Sequence, residues 1–140
     1  MSIIFGIVLA GICVLIHYEA LRWLSGHLDR LERIARRRLL VAIAVSFVAH
    51  LVEIALFAAA FWLIAATGFG ALTGEIDHDF SDYLYFSATS YTTLGVGDIT
   101  PTDGMRMVAG IEGLTGLVMI TWSASFTYLI MRKFWSFDEE

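Results

Sequence analysis

Three apolar runs, each close to or beyond the length of a membrane crossing, constrain this chain more than any other feature. The first extends from about Ser2 to Leu24, with a clean apolar stretch between Ile3 and Ile16. The second runs from Leu39 to about Thr67, and the third from about Gly104 to Phe134. A helix needs about 20 apolar residues to cross a bilayer core. Hydrophobic residues make up 58% of the chain and charged residues 16%, against about 45–50% and about 25% in soluble globular domains. The first run has no basic leading segment and no small-residue cleavage site before a polar chain, so it reads as a retained helix rather than a signal peptide. Cys13 is the single cysteine, which removes any intrachain disulfide or cysteine metal cluster.

The basic residues set an expected orientation. Arg22, Arg30, Arg33, Arg36, Arg37 and Arg38 lie at or between the first two runs, and Arg132 and Lys133 end the third. Residues 68–104 carry Glu75, Asp77, Asp79 and Asp82 directly after the second run. The excess of arginine and lysine on cytoplasmic loops then places the N-terminus outside, residues 68–104 outside and the C-terminus inside, in a multi-pass inner-membrane protein. Trp23, Trp62 and Trp135 fall where interfacial anchors belong.

Between the first two runs, Leu21, Leu24, Leu28 and Leu31 recur at spacings of three and four, with Asp29–Arg33 and Glu32–Arg36 as i,i+4 pairs. The segment reads as a helix that continues the first span or lies on the inner surface. A solvated, lipid-facing basic helix is one reading, and an anionic-lipid site across Arg30–Arg38 is the other.

After the second run, the glycines of GFGALTGE mark a turn. Ser81 is placed to cap a helix of about three turns over residues 82–92. It is apolar and aromatic yet too short to span, which reads as a re-entrant helix sheltered by protein. Its C-terminus, with negative partial charge, would point into the membrane and favour a cation. The chain must then return outward through Thr93-Leu94-Gly95-Val96-Gly97-Asp98. Glycine at every second position allows left-handed backbone in alternation with right-handed, which aims successive carbonyls to one side. A column of carbonyls is a cation site, with hard oxygens replacing a hydration shell.

This stretch resembles the pore loop of the tetrameric potassium channels, whose signature is Thr-Val-Gly-Tyr-Gly-Asp after a short pore helix between two membrane helices. The resemblance covers about residues 39–135, and the first span lies outside it. It is similar to the short bacterial type with one additional N-terminal helix. The resemblance implies that Thr93 contributes hydroxyl and carbonyl to the innermost potassium site, Leu94, Gly95 and Val96 the carbonyls above, and Gly97 the outer mouth. It also implies that Asp98 braces this filter through hydrogen bonds to the pore helix, with Thr92 in support. Leu94 replaces valine, and Val96 replaces an aromatic residue that hydrogen-bonds outward in the family, so a less rigidly held filter is expected. One loop per chain cannot surround an ion, whereas four about an axis can, so a homotetramer is expected.

Within the second span, Glu53 follows His50 by three residues and shares its helix face. A carboxylate there costs roughly 2.5–3.5 kcal/mol unless it faces protein or water. A satisfied His–Glu pair and a proton-sensing gate are the two readings, and a metal site lacks further ligands nearby. Glu112, early in the third span, reads as filter support or as simple burial. His17 and Glu19 read as interfacial. Gly113 and Gly116 serve either a gating bend or helix packing. Ser123, Ser125, Phe126 and Thr127 are candidates for the cavity and inner constriction.

The expected fold is an all-α membrane protein with three transmembrane helices, a re-entrant pore helix and a selectivity filter, forming a tetrameric channel pore. Residues 1–38 hold the first span and basic helix. Residues 39–135 form the pore domain, with outer helix 39–67, pore helix 82–92, filter 93–98 and inner helix 104–134, before an acidic tail at 136–140. The expected function is passive potassium conduction. A weakly selective monovalent cation channel and a non-conducting membrane interaction subunit are the alternatives. No cofactor beyond permeant potassium, no enzymatic activity, no nucleic-acid partner, no voltage sensing by an arginine ladder and no attached ligand-binding domain are expected.

Overall fold

Backbone groups inside a bilayer must pair within their own segment, and this chain meets that demand with helix. The computed structural model describes residues 2–31 and 35–134. In order they form α1 (Ser2–Leu31), α2 (Ala35–Ala66), β1 (Leu72–Gly74), α3 (Phe80–Tyr91), β2 (Ile99–Pro101) and α4 (Asp103–Phe134). The three long helices have 30, 32 and 32 residues, or about 45–48 Å at 1.5 Å per residue. All three are long and apolar enough to cross a membrane. The chain is an α-helical membrane protein.

Each long helix leaves most of its apolar surface uncovered on the single chain. Ile4, Leu15, Phe47, Leu114 and Leu129 are all exposed. Their place is against lipid or another chain, since water would make such a surface prohibitive. The covered faces form two main clusters. One gathers Leu9, Cys13, Phe57, Phe61, Phe86 and Val108 toward the α1 N-terminal end, and the other joins Leu24 and Leu28 to Ala42 and Ile130 at the opposite end.

That second cluster corrects the reading of the α1 extension. The leucine stripe does not face lipid or solvent: Leu21, Leu24 and Leu28 are buried, the latter two against α2 and α4. A three-and-four spacing marks one apolar face without saying what covers it. The Asp29–Arg33 and Glu32–Arg36 pairs, Trp135 and the acidic tail lie outside the described residues or side chains. Trp23 and Trp62 are half exposed.

The N-terminus of α1 and the segment 68–104 share one side. A Cβ added at Gly104 would lie 2.6 Å from Ser2 Oγ and 3.0 Å from the Phe69 carbonyl oxygen. Arg36–Arg38, Arg132 and Lys133 occupy helix ends on the other side.

The segment expected as a simple turn contains strand β1. It pairs antiparallel with β2, Leu72 opposite Pro101, Thr73 opposite Thr100 and Gly74 opposite Ile99. The two threonine hydroxyls meet at 2.9 Å. Strands of three residues carry too little alternation to be read in sequence. The ladder ties the approach to α3 to the exit from the 93–98 stretch. Gly74 has φ 135°, and a Cβ there would lie 2.1 Å from the Asp98 carbonyl oxygen, so the pairing requires glycine.

Helix α3 begins at Phe80, not at 82, because Asp79 rather than Ser81 is its cap. The Asp79 carboxylate accepts from the Ser81 N–H at 2.9 Å, the Asp82 N–H at 3.2 Å and the Ser81 hydroxyl at 2.6 Å. A carboxylate supplies both an acceptor and a negative charge where the helix N-terminus is positive. The Ser81 hydroxyl and the Asp82 N–H hold the Asp79 carboxyl below its usual range. The stability it contributes is therefore complete above the ordinary aspartate range and lost as pH falls through its depressed value. In thermal melts at neutral pH, Asp79→Ala is expected to lower the unfolding midpoint and Asp79→Ser to recover part of the loss. The gap between wild type and Asp79→Ala is expected to close toward pH 3.

Candidate functional site

Helix α3 has 12 residues, about 18 Å, so it enters the membrane and stops partway. Its lower half is anchored to the middle of α2. The Ser87 hydroxyl lies 2.8 Å from the Ile54 carbonyl oxygen, and the Tyr91 hydroxyl donates to Glu53. Glu53 sits 13 residues before Ala66, the end of α2, which places the contact about 20 Å below that end.

At this depth α3 gives way to irregular backbone. Its last carbonyls are met locally: Ala88 accepts from the Thr92 N–H at 3.1 Å and the Thr92 hydroxyl at 2.7 Å, Ser90 from the Thr93 N–H at 3.0 Å, and Thr89 from the Gly95 N–H at 3.2 Å. Left-handed backbone then recurs at every second residue, with φ of 59° at Thr93, 53° at Gly95 and 87° at Gly97. The glycine positions were legible in the sequence. Thr93 was not, since a β-branched residue is strained there and its place in the alternation comes only from the structure. Residues 92–98 are exposed on the single chain.

Asp98 stands at the outer end of this stretch. Its Oδ2 accepts from the Tyr85 hydroxyl of α3 at 2.9 Å, and its Oδ1 from the Ile99 N–H at 3.0 Å. Those bonds join the start of β2, the stretch and the helix before it. Val96 has no polar side-chain atom to add to them.

Helix α4 presses on α3 through small residues. A Cβ at Gly116 would lie 1.9 Å from the Tyr91 carbonyl oxygen, and one at Gly113 3.3 Å from that of Ser90. Both glycines therefore let α4 close on the end of α3, and α4 is continuous from Asp103 to Phe134. Glu112, fully buried, meets Ser87 of α3 rather than residues 92–98. Ser87 has one hydroxyl hydrogen and two acceptors, the Ile54 carbonyl and Glu112 Oε1. Both contacts are hydrogen bonds when Glu112 is a carboxylic acid donating to Ser87 Oγ and Ser87 donates to Ile54.

Behind the end of α3 lies a polar cluster that sequence reasoning only half found. His50 and Glu53 do share a face of α2. His17, expected at the interface, is instead fully buried in the middle of α1. Its Nδ1 lies 2.9 Å from Glu53 Oε1 and its Nε2 2.9 Å from Ser123 Oγ of α4. His50 Nδ1 lies 2.9 Å from the Tyr91 hydroxyl and its Nε2 3.1 Å from Ser123 Oγ. One cluster thus joins all four helices. The Trp122 ring packs 5.4 Å from the His17 ring. His17, His50 and Glu53 do bring donor atoms within 4.8 Å of one another, so a third polar partner exists where the sequence offered two. Yet each of these donor atoms is already engaged by protein, and a divalent ion beside one carboxylate would leave net positive charge deep in the membrane. In this structure the arrangement is a hydrogen-bond cluster.

A groove of about 430 Å³ opens beneath the end of α3, lined by Ser46, His50, Tyr91, Thr92, Ser123 and Thr127 among others. Thr127 and Ser123 thus reach it, whereas Phe126 packs on the Leu24–Leu28 cluster and Ser125 donates to the Thr121 carbonyl. Helix rotation, unreadable in sequence, separates these neighbours.

A short helix that ends inside the membrane, followed by a return of alternating handedness between two spans, defines a pore-loop membrane protein. The chain belongs to the ion channel family with two membrane helices and a pore loop, which it matches over residues 51–133. The match contains the second half of α2, all of α3, the 92–98 stretch and nearly all of α4. No curated protein and no solved structure matches the chain. It is therefore an ion channel, and channels of this kind are generally oligomeric and membrane-embedded.

Gly116→Ala tests whether the seating of α3 holds the site. Overpacking costs about 1–3 kcal/mol where side chains can shift, and here the obstacle is a backbone carbonyl. The variant is expected to reach the membrane with a markedly lower thermal midpoint and little or no ion flux, whereas Gly110→Ala, with open space at its Cβ, is expected to match wild type.

Proposed function

We propose that the protein conducts potassium passively through a pore formed by four identical chains. The alternation of left-handed backbone at Thr93, Gly95 and Gly97 carries this reading. It is the geometry by which one strand of backbone can turn successive carbonyls toward a shared axis. Thr93 would supply the innermost site with hydroxyl and carbonyl, Leu94, Gly95 and Val96 the carbonyls above it, and Gly97 the outer mouth. Exposure of the whole stretch on one chain supports a partner around the axis, because such backbone is not tolerated against lipid.

Asp98 would brace the filter through Tyr85, and Thr92 would hold the turn at the end of α3. Glu112 would support the pore helix from behind, through Ser87. Gly113 and Gly116 would bear on gating through the closeness of α4 to the pore helix. The N-terminus and residues 68–104 would face outward, with Arg30–Arg38 at the inner surface among anionic headgroups. The ion channel family speaks for transport rather than catalysis, and we assign no enzymatic step and no cofactor.

Weak selectivity among monovalent cations is the second reading, and Val96 favours it. A valine between the two glycines keeps the carbonyl and forgoes the outward hydrogen bond that an aromatic hydroxyl would make.

Purified protein in liposomes is expected to pass potassium, with block by barium. Under mixed potassium and sodium, Val96→Tyr is expected to move the reversal potential closer to that of potassium than wild type does. A protein that forms monomers or dimers and passes no ion would instead be a non-conducting interaction subunit. Equal reversal potentials in wild type and Val96→Tyr would remove Val96 as the weak point.

A further inference from the structure

The cluster behind α3 is a closed ring. Glu53 meets His17, His17 meets Ser123, Ser123 meets His50, His50 meets Tyr91, and Tyr91 returns to Glu53. Five side chains make five contacts, each needing one hydrogen between two heavy atoms. With Glu53 ionised and both imidazoles neutral, the hydrogens on hand are one on Tyr91, one on Ser123 and one on each ring. That is four for five contacts, whichever way each bond points.

From this count we infer that the ring is a binding site for one further proton. Four arrangements satisfy every contact. With Ser123 donating to His50, the proton sits on Glu53 Oε1, donating to His17, or on His17 as an imidazolium donating to Glu53 and Ser123. With Ser123 donating to His17, it sits on His50 as an imidazolium donating to Ser123 and Tyr91, or on Glu53 Oε2, donating to Tyr91. All four leave the ring without net charge, the condition that costs least deep in a membrane. The first two differ by a proton move along the 2.9 Å contact between His17 Nδ1 and Glu53 Oε1.

Release of that proton leaves one contact as two facing lone pairs and puts a net negative charge in the ring. The carboxylate keeps its charge-assisted donors, His17 Nδ1–H and the Tyr91 hydroxyl. The gap then falls at one of the two Ser123 contacts or at the contact of His50 with Tyr91, so the proton decides whether the ring that joins the four helices is closed. His50 is the partly exposed member, its side chain 16% accessible and facing the groove of about 430 Å³, which gives the ring a route for proton exchange. Cys13 on α1 and Glu112 on α4 are the further titratable groups in electrostatic reach.

Glu53→Gln gives the direct test. The carboxamide accepts from Tyr91 through its oxygen and donates to His17 through its nitrogen, so all five contacts close with neutral rings and no added proton. Ser123→Ala reaches the same end differently, leaving three contacts and three hydrogens. Histidine ¹⁵N resonances and the carboxyl infrared band are read on the whole protein in lipid bilayers between about pH 6 and pH 9. In wild type at neutral pH, either one imidazolium or one buried carboxylic acid that answers to the Glu53 substitution is expected, lost on going alkaline. The thermal midpoint is expected to fall across the same interval. In Glu53→Gln both His17 and His50 stay singly protonated throughout, and the midpoint stays flat. Should that variant not fold, Ser123→Ala is expected to show the same loss of the extra proton. Wild type with an ionised Glu53 and two neutral rings at pH 7 overturns the inference, as does an imidazolium at His17 that persists in either variant.

Discussion

A peptide group that leaves helical structure inside a membrane has no water to turn to, and everything particular about this fold follows from that demand. Helix α3 ends about 20 Å along α2 from its Ala66 end. Beyond Tyr91 each N–H and carbonyl must find protein, a hydrated path or an ion. The first few are absorbed by the helix end itself, through Thr92, Thr93 and Gly95. In the proposed function, the carbonyls that follow serve as the ion's ligands.

Holding such a segment requires a rigid surround, and the chain builds it from both sides. On the side where α3 begins, the β1–β2 ladder and the Tyr85–Asp98 hydrogen bond fix the ends of the loop to one another and to α3. Inside, glycines let α4 press on the last carbonyls of α3, and two polar contacts pin that helix by its side chains, Ser87 to Glu112 and Tyr91 to the histidine ring. Buried polar groups are costly in hydrocarbon unless each is satisfied. Pairing of Glu53 with His17 and Tyr91, and of Glu112 with Ser87, offsets part of that cost in so apolar a chain. The added helix α1 matters here, because His17 supplies the member that the two-helix pore alone would lack.

Much of this was readable before any coordinates. Run length gave the three spans, and shortness with aromatic content gave the re-entrant helix. The glycine spacing pointed to the stretch at 93–98. What escaped reading depends on rotation and long-range pairing. His17 lies 36 residues from Glu53 and 106 from Ser123, and nothing in a uniformly apolar helix says which way a single histidine points. The three-residue strands were below the length at which alternation can be seen, and the cap expected at Ser81 lies two residues earlier, at Asp79. Thr93 entered the left-handed series against its own preference, where a rule based on glycine alone stops one residue short.

The position of ions in the assembled protein tests the central claim most directly. Electron cryomicroscopy of the protein in bilayers, or anomalous diffraction with thallium in place of potassium, would locate them. Four chains about one axis are expected, with residues 93–97 facing that axis and a line of ion density between the Thr93 and Gly97 carbonyls. An assembly in which these residues lie away from the symmetry axis, or line it with no ion density, would contradict the reading.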